Sequence, residues 1–189
     1  MVSKTSSKTY IALLRGINVG GHHKMPMAQL KKEMQNMGYT GVITILNSGN
    51  VIFLSDNHDT ASIQDHISSH LREVFAFEIP TQVLDAEILK GMSKTEPFRD
   101  EELNEKTRCY VTFLGNTVKD TNEYPMSSED GSFKILRQSG QVLYSILDLN
   151  KSDTPKAMAL VERIYGKGVT TRNWKTIQRI AKKLSSDSK

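Results

Sequence analysis

The chain has 189 residues, 38% hydrophobic and 24% charged, with a formal net charge of +4 and a pI near 9.1. That length and balance are ordinary for a soluble globular protein, enough for one compact domain or two small halves sharing a core. Apolar runs such as "IALL" and "VITIL" are far too short to cross a bilayer, so no membrane association is expected.

The opening "MVSKTSSKTY" is polar and lacks the apolar centre of a secretory signal. A frayed tail is expected over 1–8. Cys109 is the lone cysteine, which excludes an intrachain disulfide. With no export signal, a cytoplasmic location follows as the simplest expectation. Cys109 lies in the strand-like "RCYVTFL" and reads as a buried, inert thiol.

"TYIALLR" (9–15) reads as a strand covered on both faces. A glycine-rich loop follows, then Pro26 at a helix start. Met27, Leu30, Met34 and Met37 make one apolar stripe, and Gly38 stops the helix. The stripe is core filling. "VITIL" (42–46) and "NVIFL" (50–54) are strands joined through Asn47-Ser48-Gly49, a hairpin signal. Residues 60–75 form a second helix with Ile63, Ile67, Leu71, Val74 and Phe75 inward. "IPTQVL" (79–84) is a further strand, and Asp85 can cap a short helix through Met92. The order β-α-β-β-α-β describes a ferredoxin-like unit over 9–98.

The second half, 99–189, echoes the first. "LNSGNVIF" (46–53) aligns with "RQSGQVLY" (137–144) at an offset of 91. The same offset predicts a helix near 151–166, where Asp153 or Thr154 can cap and Gly166 can stop. "TRCYVTFL" would be the first strand of this repeat. Its first helix would fall within 115–130, a stretch rich in turn formers with Pro125, so it is expected to be degenerate. The fold class is therefore α+β, a ferredoxin-like subdomain followed by a related, degenerate α+β subdomain. "TTRNWKTIQRIAKKL" closes the chain as a helix capped by Thr170 or Thr171, with Trp174, Ile177, Ala181 and Leu184 inward.

Charge is unevenly placed. Residues 1–32 hold six Lys or Arg and no acid, and residues 163–186 hold seven and no acid. The other 12 basic residues face all 21 acids, so two basic ends flank an acidic middle.

The strand–glycine loop–helix start "LLRGINVGGHHKMP" suits an anion. Glycines allow close backbone approach and positive φ. Met25 before Pro26 offers no side-chain acceptor, so the first-turn N–H groups need Asn18 or a bound anion as partner. Arg15 and Lys24 bracket the loop. Named phosphate motifs fail: Gly16 and Gly21 have the P-loop spacing, but His22 and His23 follow where Lys and Ser or Thr belong, and no G-x-G-x-x-G is present.

Metal signals are weak. His66 and His70 are four apart on one helix with no third ligand placed by sequence. Ser48 and Ser139 read as turn residues, since no nucleophile motif is present. An RNA-binding sheet would need exposed aromatics, and here only Tyr10 and Phe53 offer themselves. The basic last helix can still contact phosphates without reading sequence.

The stretch "YIALLRGINVGGHHKMPMAQLKKEMQNMGYTGVITILNSGNVIF", the ending "TTRNWKTIQRIAKKL" and, between them, "EPF" (96–98) and "YVTFL" closely resemble the bacterial Domain of Unknown Function 1697 family. The resemblance covers nearly all of the chain after residue 8. It implies an α+β fold of ferredoxin-like subdomains and implies no activity. It departs after "VTFL", where the family usually has a helix.

The two end motifs coincide with the acid-free segments. The sequence thus points to one electropositive cleft lined by Arg15, Asn18, Gly20, Gly21, Lys24, Arg172 and Asn173, with Ser48 and Asn50 at its rim. Helix N-termini at Pro26 and Arg172 would face it. The expected function is binding of a phosphorylated or otherwise anionic small ligand, a nucleotide among them, with no cofactor. The alternatives are an enzyme on such a ligand, with His22 or His23 carrying protons, and weak sequence-independent nucleic-acid binding. The sequence fixes neither catalysis nor oligomeric state.

Overall fold

The computed structural model describes residues 6–115 and 122–186. The chain divides into two units, one of Met1–Gly91 with Arg179–Lys189 and one of Met92–Gln178. No helix among the described residues is long and apolar enough to cross a membrane.

The first unit runs β1 (Lys8–Leu14), α1 (Met27–Asn36), β2 (Thr40–Ile45), β3 (Asn50–Ser55), α2 (Thr60–Phe75), β4 (Thr81–Asp85) and α3 (Ala86–Ser93). Its first six elements follow the β-α-β-β-α-β order read from the sequence. They build a four-stranded sheet of order β2-β3-β1-β4 in which every adjacent pair is antiparallel. β1 is central, paired along both edges, and its residues 10–14 are buried throughout. The methionine stripe of α1 goes inward as read, with Leu30 and Met34 buried and Met27 and Met37 packed at its margins. Each buried side chain there contributes about 1.5–3 kcal/mol.

α2 shows how its sequence fixes its ends. The Asp59 carboxylate accepts from Ala61 N and Ser62 N, and Ala76 ends the helix in the left-handed region at φ 61°. Ile63, Ile67 and Leu71 are buried as expected. Val74 is a correction: it is exposed, lying in the final turn two residues before the left-handed Ala76 that ends the helix.

The second unit holds β5 (Thr107–Phe113), β6 (Met126–Ser127), β7 (Phe133–Ser139), β8 (Val142–Asp148), α4 (Thr154–Tyr165) and β9 (Thr170–Asn173), followed by α5 (Trp174–Ser186). Its sheet order is β6-β7-β8-β5-β9. Setting β6 aside, β7-β8-β5-β9 repeats β2-β3-β1-β4 strand for strand. The degenerate helix expected within 115–130 falls partly on 116–121, outside the described residues; the described part of that stretch holds no helix.

The repeat needs one correction of register. Leu14 N donates to Gly49 O, and Leu114 N donates to Gln141 O in the matching place. Gly49 therefore matches Gln141, 92 residues on, and not Gly140. Successive strand residues face opposite sides, so this single step decides which ones reach the core. It matches Val51 to Leu143, and each belongs to the core of its own unit.

The chain's end needs a second correction. Thr170 and Thr171 do not cap a helix; they are paired in β9 with Phe113 and Thr112. Arg172 is a strand residue, and α5 begins at Trp174. Asn173 Oδ1 accepts from Lys175 N at 2.9 Å. Asp85 does the same for Glu87 N at 2.9 Å, where β4 passes into α3. Each repeat thus ends its last strand on a side chain that caps the next helix.

Candidate functional site

The segment between β1 and α1 begins where Leu14 N bonds Gly49 O at 2.7 Å and Arg15 N bonds Pro80 O at 2.8 Å. The chain then turns back on itself. Val19 and His22 form an isolated antiparallel bridge, with His22 N donating to Val19 O and Asn18 N to His23 O, each at 3.1 Å. The two residues between, Gly20 and Gly21, have φ of 59° and 80°. Two central residues at positive φ are the requirement of a tight type I′ turn. These glycines are needed by the turn itself, so their presence is explained without a ligand.

Asn18 is committed in the same way. Its Oδ1 accepts from Met25 N at 2.8 Å, and its Nδ2 donates to Met25 O and to Asn47 O, both at 2.9 Å. All of its amide hydrogens are used. Asn18 therefore supports the residue before Pro26 and not the helix amides beyond it. Its own φ of 54° is one that Asn tolerates better than most side chains.

The β2–β3 turn packs beneath this loop. Asn50 is fully buried, and its Nδ2 donates to Ile45 O at 2.8 Å and to Ser48 Oγ at 3.0 Å. Gly49 has φ 74°, and a Cβ there would lie 2.7 Å from Ile17 Cδ1. The "RGIN" and "NSGN" motifs are thus one hydrogen-bonded cluster. Ser48 is exposed, while Asn50 is internal to the turn and holds it closed.

The start of α1 is open to solvent. α1 has Pro26 at its cap position, with no side-chain hydrogen bond to the first turn. Ala28 and Gln29 in that turn are exposed. Lys24 is exposed, and among the described residues its ammonium has no partner. Arg15 is half-buried. His23 stacks on Phe77 at 4.4 Å with Nδ1 3.1 Å from Gly16 O. A carbonyl only accepts, so Nδ1 donates there. Nothing local in the sequence marks Phe77 or Pro80 as part of this cluster.

Arg172 and Asn173 belong to the second unit. Arg172 is 8% exposed, and Nη1 donates to Thr171 O at 3.0 Å. Burial pushes its guanidinium down to about 10. Because α5 starts two residues later, no helix N-terminus sits at Arg172, which corrects that part of the expected arrangement.

The two α2 histidines have separate partners. His66 Nδ1 lies 3.1 Å from Tyr39 Oη, and His70 Nε2 lies 2.9 Å from Glu33 Oε2. No cluster of three potential metal ligands occurs among the described residues. Cys109 is half-buried, less enclosed than expected. Burial, and then Glu101, push its thiol up, which disfavours the reactive thiolate.

The family model described as "Protein of unknown function (DUF1697)" matches residues 7–144. The chain belongs to the DUF1697 family. The matched span contains both halves of the 15–50 cluster and stops before Arg172. Among solved structures, a conserved bacterial protein from Streptococcus pneumoniae is similar over 94% of this chain and 98% of its own, at 23% identity and a TM-score of 0.71. That likeness concerns the fold alone. An unknown protein from Galdieria sulphuraria covers 89% of this chain and 98% of its own, at 13% identity and a TM-score of 0.28. No curated protein matches the chain.

Proposed function

We propose that this DUF1697 protein binds a phosphorylated or otherwise anionic small ligand at the start of α1, held by Arg15, Lys24 and the first-turn amides. One observation carries the reading: α1 opens without a side-chain cap, within a 32-residue stretch that contains no acid. Uncapped amides and the positive end of the helix dipole attract negative charge. The dipole contributes only about 0.3–1 kcal/mol. A charge-assisted hydrogen bond contributes about 1.5–3 kcal/mol, so the basic side chains decide the affinity.

The reading is narrower than the cleft expected from the sequence. Asn18, Gly20, Gly21 and Asn50 support the loop's shape and do not contact the ligand. Arg172 and Asn173 are left out, one being buried and the other occupied with the α5 cap. We assign the protein to the cytoplasm on its single half-buried thiol.

A panel of inorganic phosphate, pyrophosphate and nucleotides tests this by thermal shift. At least one should stabilise the wild type, and Arg15→Ala and Lys24→Ala should each reduce that stabilisation while Lys106→Ala does not. Equal stabilisation of all four proteins would remove the site.

A second reading has its own support. Lys175, Arg179 and Lys182 are exposed on α5 at i, i+4 and i+7, one helix face. Such a face suits sequence-independent contact with nucleic-acid phosphates. Oligonucleotide binding that weakens steeply with salt, with no small-ligand effect, would favour it.

A further inference from the structure

The second unit contains a cavity of about 520 Å³ lined by residues of the β6–β7 region and of α4. The repeat explains its position. In the first unit, α1 reaches α2 through Glu33 and His70, and Tyr39, just past α1, meets His66 of α2. Counting from the capping aspartates, Asp59 of α2 and Asp153 of α4, His66 and His70 correspond to Leu160 and Ile164. Both line the cavity. Phe133 and Ile135 also line it; they lie on β7, the strand in the place of β2. The cavity thus occupies the position that α1 fills in the first unit. Among the described residues no helix follows β5 to fill it here.

The second unit has also changed its chemistry at this place. The two histidine positions have become Leu and Ile, and Ile164 is 37% exposed. Three charged side chains stand around this apolar floor: Arg163, Glu129 and Asp130. Among the described residues Arg163 and Glu129 have no hydrogen-bond or ion-pair partner. Asp130 is fixed through one oxygen only. Its Oδ1 accepts from Ser128 Oγ at 2.6 Å, Ser132 Oγ at 2.7 Å and Ser132 N at 3.0 Å, and none of these bonds uses Oδ2. These bonds hold its carboxyl at about 2, so it is ionised at working pH. A concave site of this size, with polar and charged groups beside an apolar floor, suits a small ligand that is itself part polar and part apolar.

We infer that this cavity binds a small zwitterion carrying an apolar group, an α-amino acid with a large apolar side chain being the simplest instance. The carboxylate meets Arg163, the ammonium meets Glu129 and Asp130, and the side chain covers Leu160 and Ile164, the accessible apolar part of the lining. A ligand with one charge only would leave a cation or two carboxylates unanswered. The site is separate from the one at α1, and neither proposal depends on the other.

L-Phenylalanine titrated into the full-length, isotope-labelled protein tests the inference, with the amide resonances of Phe133, Leu160 and Arg163 as the readout. Saturable shifts confined to this part of the second unit are expected. 3-Phenylpropionate, which lacks the amine, and 2-phenylethylamine, which lacks the carboxylate, should each bind about tenfold or more weakly, since each loses a charge-assisted bond. Arg163→Gln, at an exposed position, should weaken L-phenylalanine by a similar factor without unfolding the chain. The inference is overturned if no saturable shift occurs up to the solubility limit, if the three probes bind equally, or if Arg163→Gln binds as well as the wild type.

Discussion

Asn18 holds Met25 at both ends of its peptide face: Oδ1 accepts from Met25 N at 2.8 Å and Nδ2 donates to Met25 O at 2.9 Å. The side chain imitates a strand's pairing and fixes where α1 starts. Asn18→Ala should destabilise the protein by about 2–4 kcal/mol, through lost hydrogen bonds and strain at φ 54°. Asn18→Gly removes the bonds but tolerates the backbone, so it should be about 1 kcal/mol milder. Urea denaturation of the two variants checks both the loss and the difference.

Gly49 and Gly140 should respond differently to the same change. Both have positive φ, 74° and 57°. A Cβ on Gly49 would lie 2.7 Å from Ile17 Cδ1 and 2.8 Å from Leu14 Cβ, whereas one on Gly140 meets nothing within 4 Å. Gly140→Ala should cost about 1 kcal/mol from backbone strain alone. Gly49→Ala adds overpacking and should cost about 1–3 kcal/mol more. Equal midpoints in denaturant would show that the β2–β3 turn is looser against the loop than its geometry requires.

The two halves also differ in a buried hydroxyl. Ser145 is 1% exposed, and among the described residues its Oγ has no partner. Hydrogen-bonded polar groups stabilise, but an unpaired one carries a desolvation cost of about 1–3 kcal/mol. Ser145→Ala should therefore leave stability unchanged or raise it by up to about 1 kcal/mol. A loss well beyond that in a thermal melt would mean that the hydroxyl is bonded in solution.

Two carboxylates should contribute to the acid limb of the stability profile. Glu33 is held below the usual carboxylate range by its bonds to His70 and Asn36, and Asp130 lies at about 2 through Ser128 and Ser132. Each depressed group binds its proton less readily when folded than when unfolded. Its contribution is therefore whole above the ordinary carboxylate range and is lost as pH falls through the folded value. Asp130→Asn should cost stability at pH 6, and the gap to the wild type should close as pH approaches 2. A gap independent of pH would assign the effect to packing.

Much of the first unit was legible because its signals are local. α2 spans the residues its apolar period marked, since a side-chain cap and a long stripe agree there. β9 was not legible: Thr170–Asn173 is too short to show alternation, and two threonines before an apolar stripe imitate a cap. The real cap is Asn173, which only the pairing of β9 with β5 reveals. The glycine loop was legible as a feature but not in its geometry. Gly20 and Gly21 look the same in sequence whether they cradle a phosphate or close a type I′ turn, and only the Val19–His22 bridge separates the two. The apolar replacement of His66 and His70 by Leu160 and Ile164 was hidden for a different reason. It emerges when α2 and α4 are aligned on their capping aspartates.

The binding proposal rests on the amides that open α1, and amide shifts read those groups directly. Pyrophosphate titrated into the labelled wild-type protein should move the resonances of Met27, Ala28 and Gln29 saturably, and Lys24→Ala should weaken that response. Shifts absent from all three amides, or identical in Lys24→Ala, would contradict an anion site at this helix start.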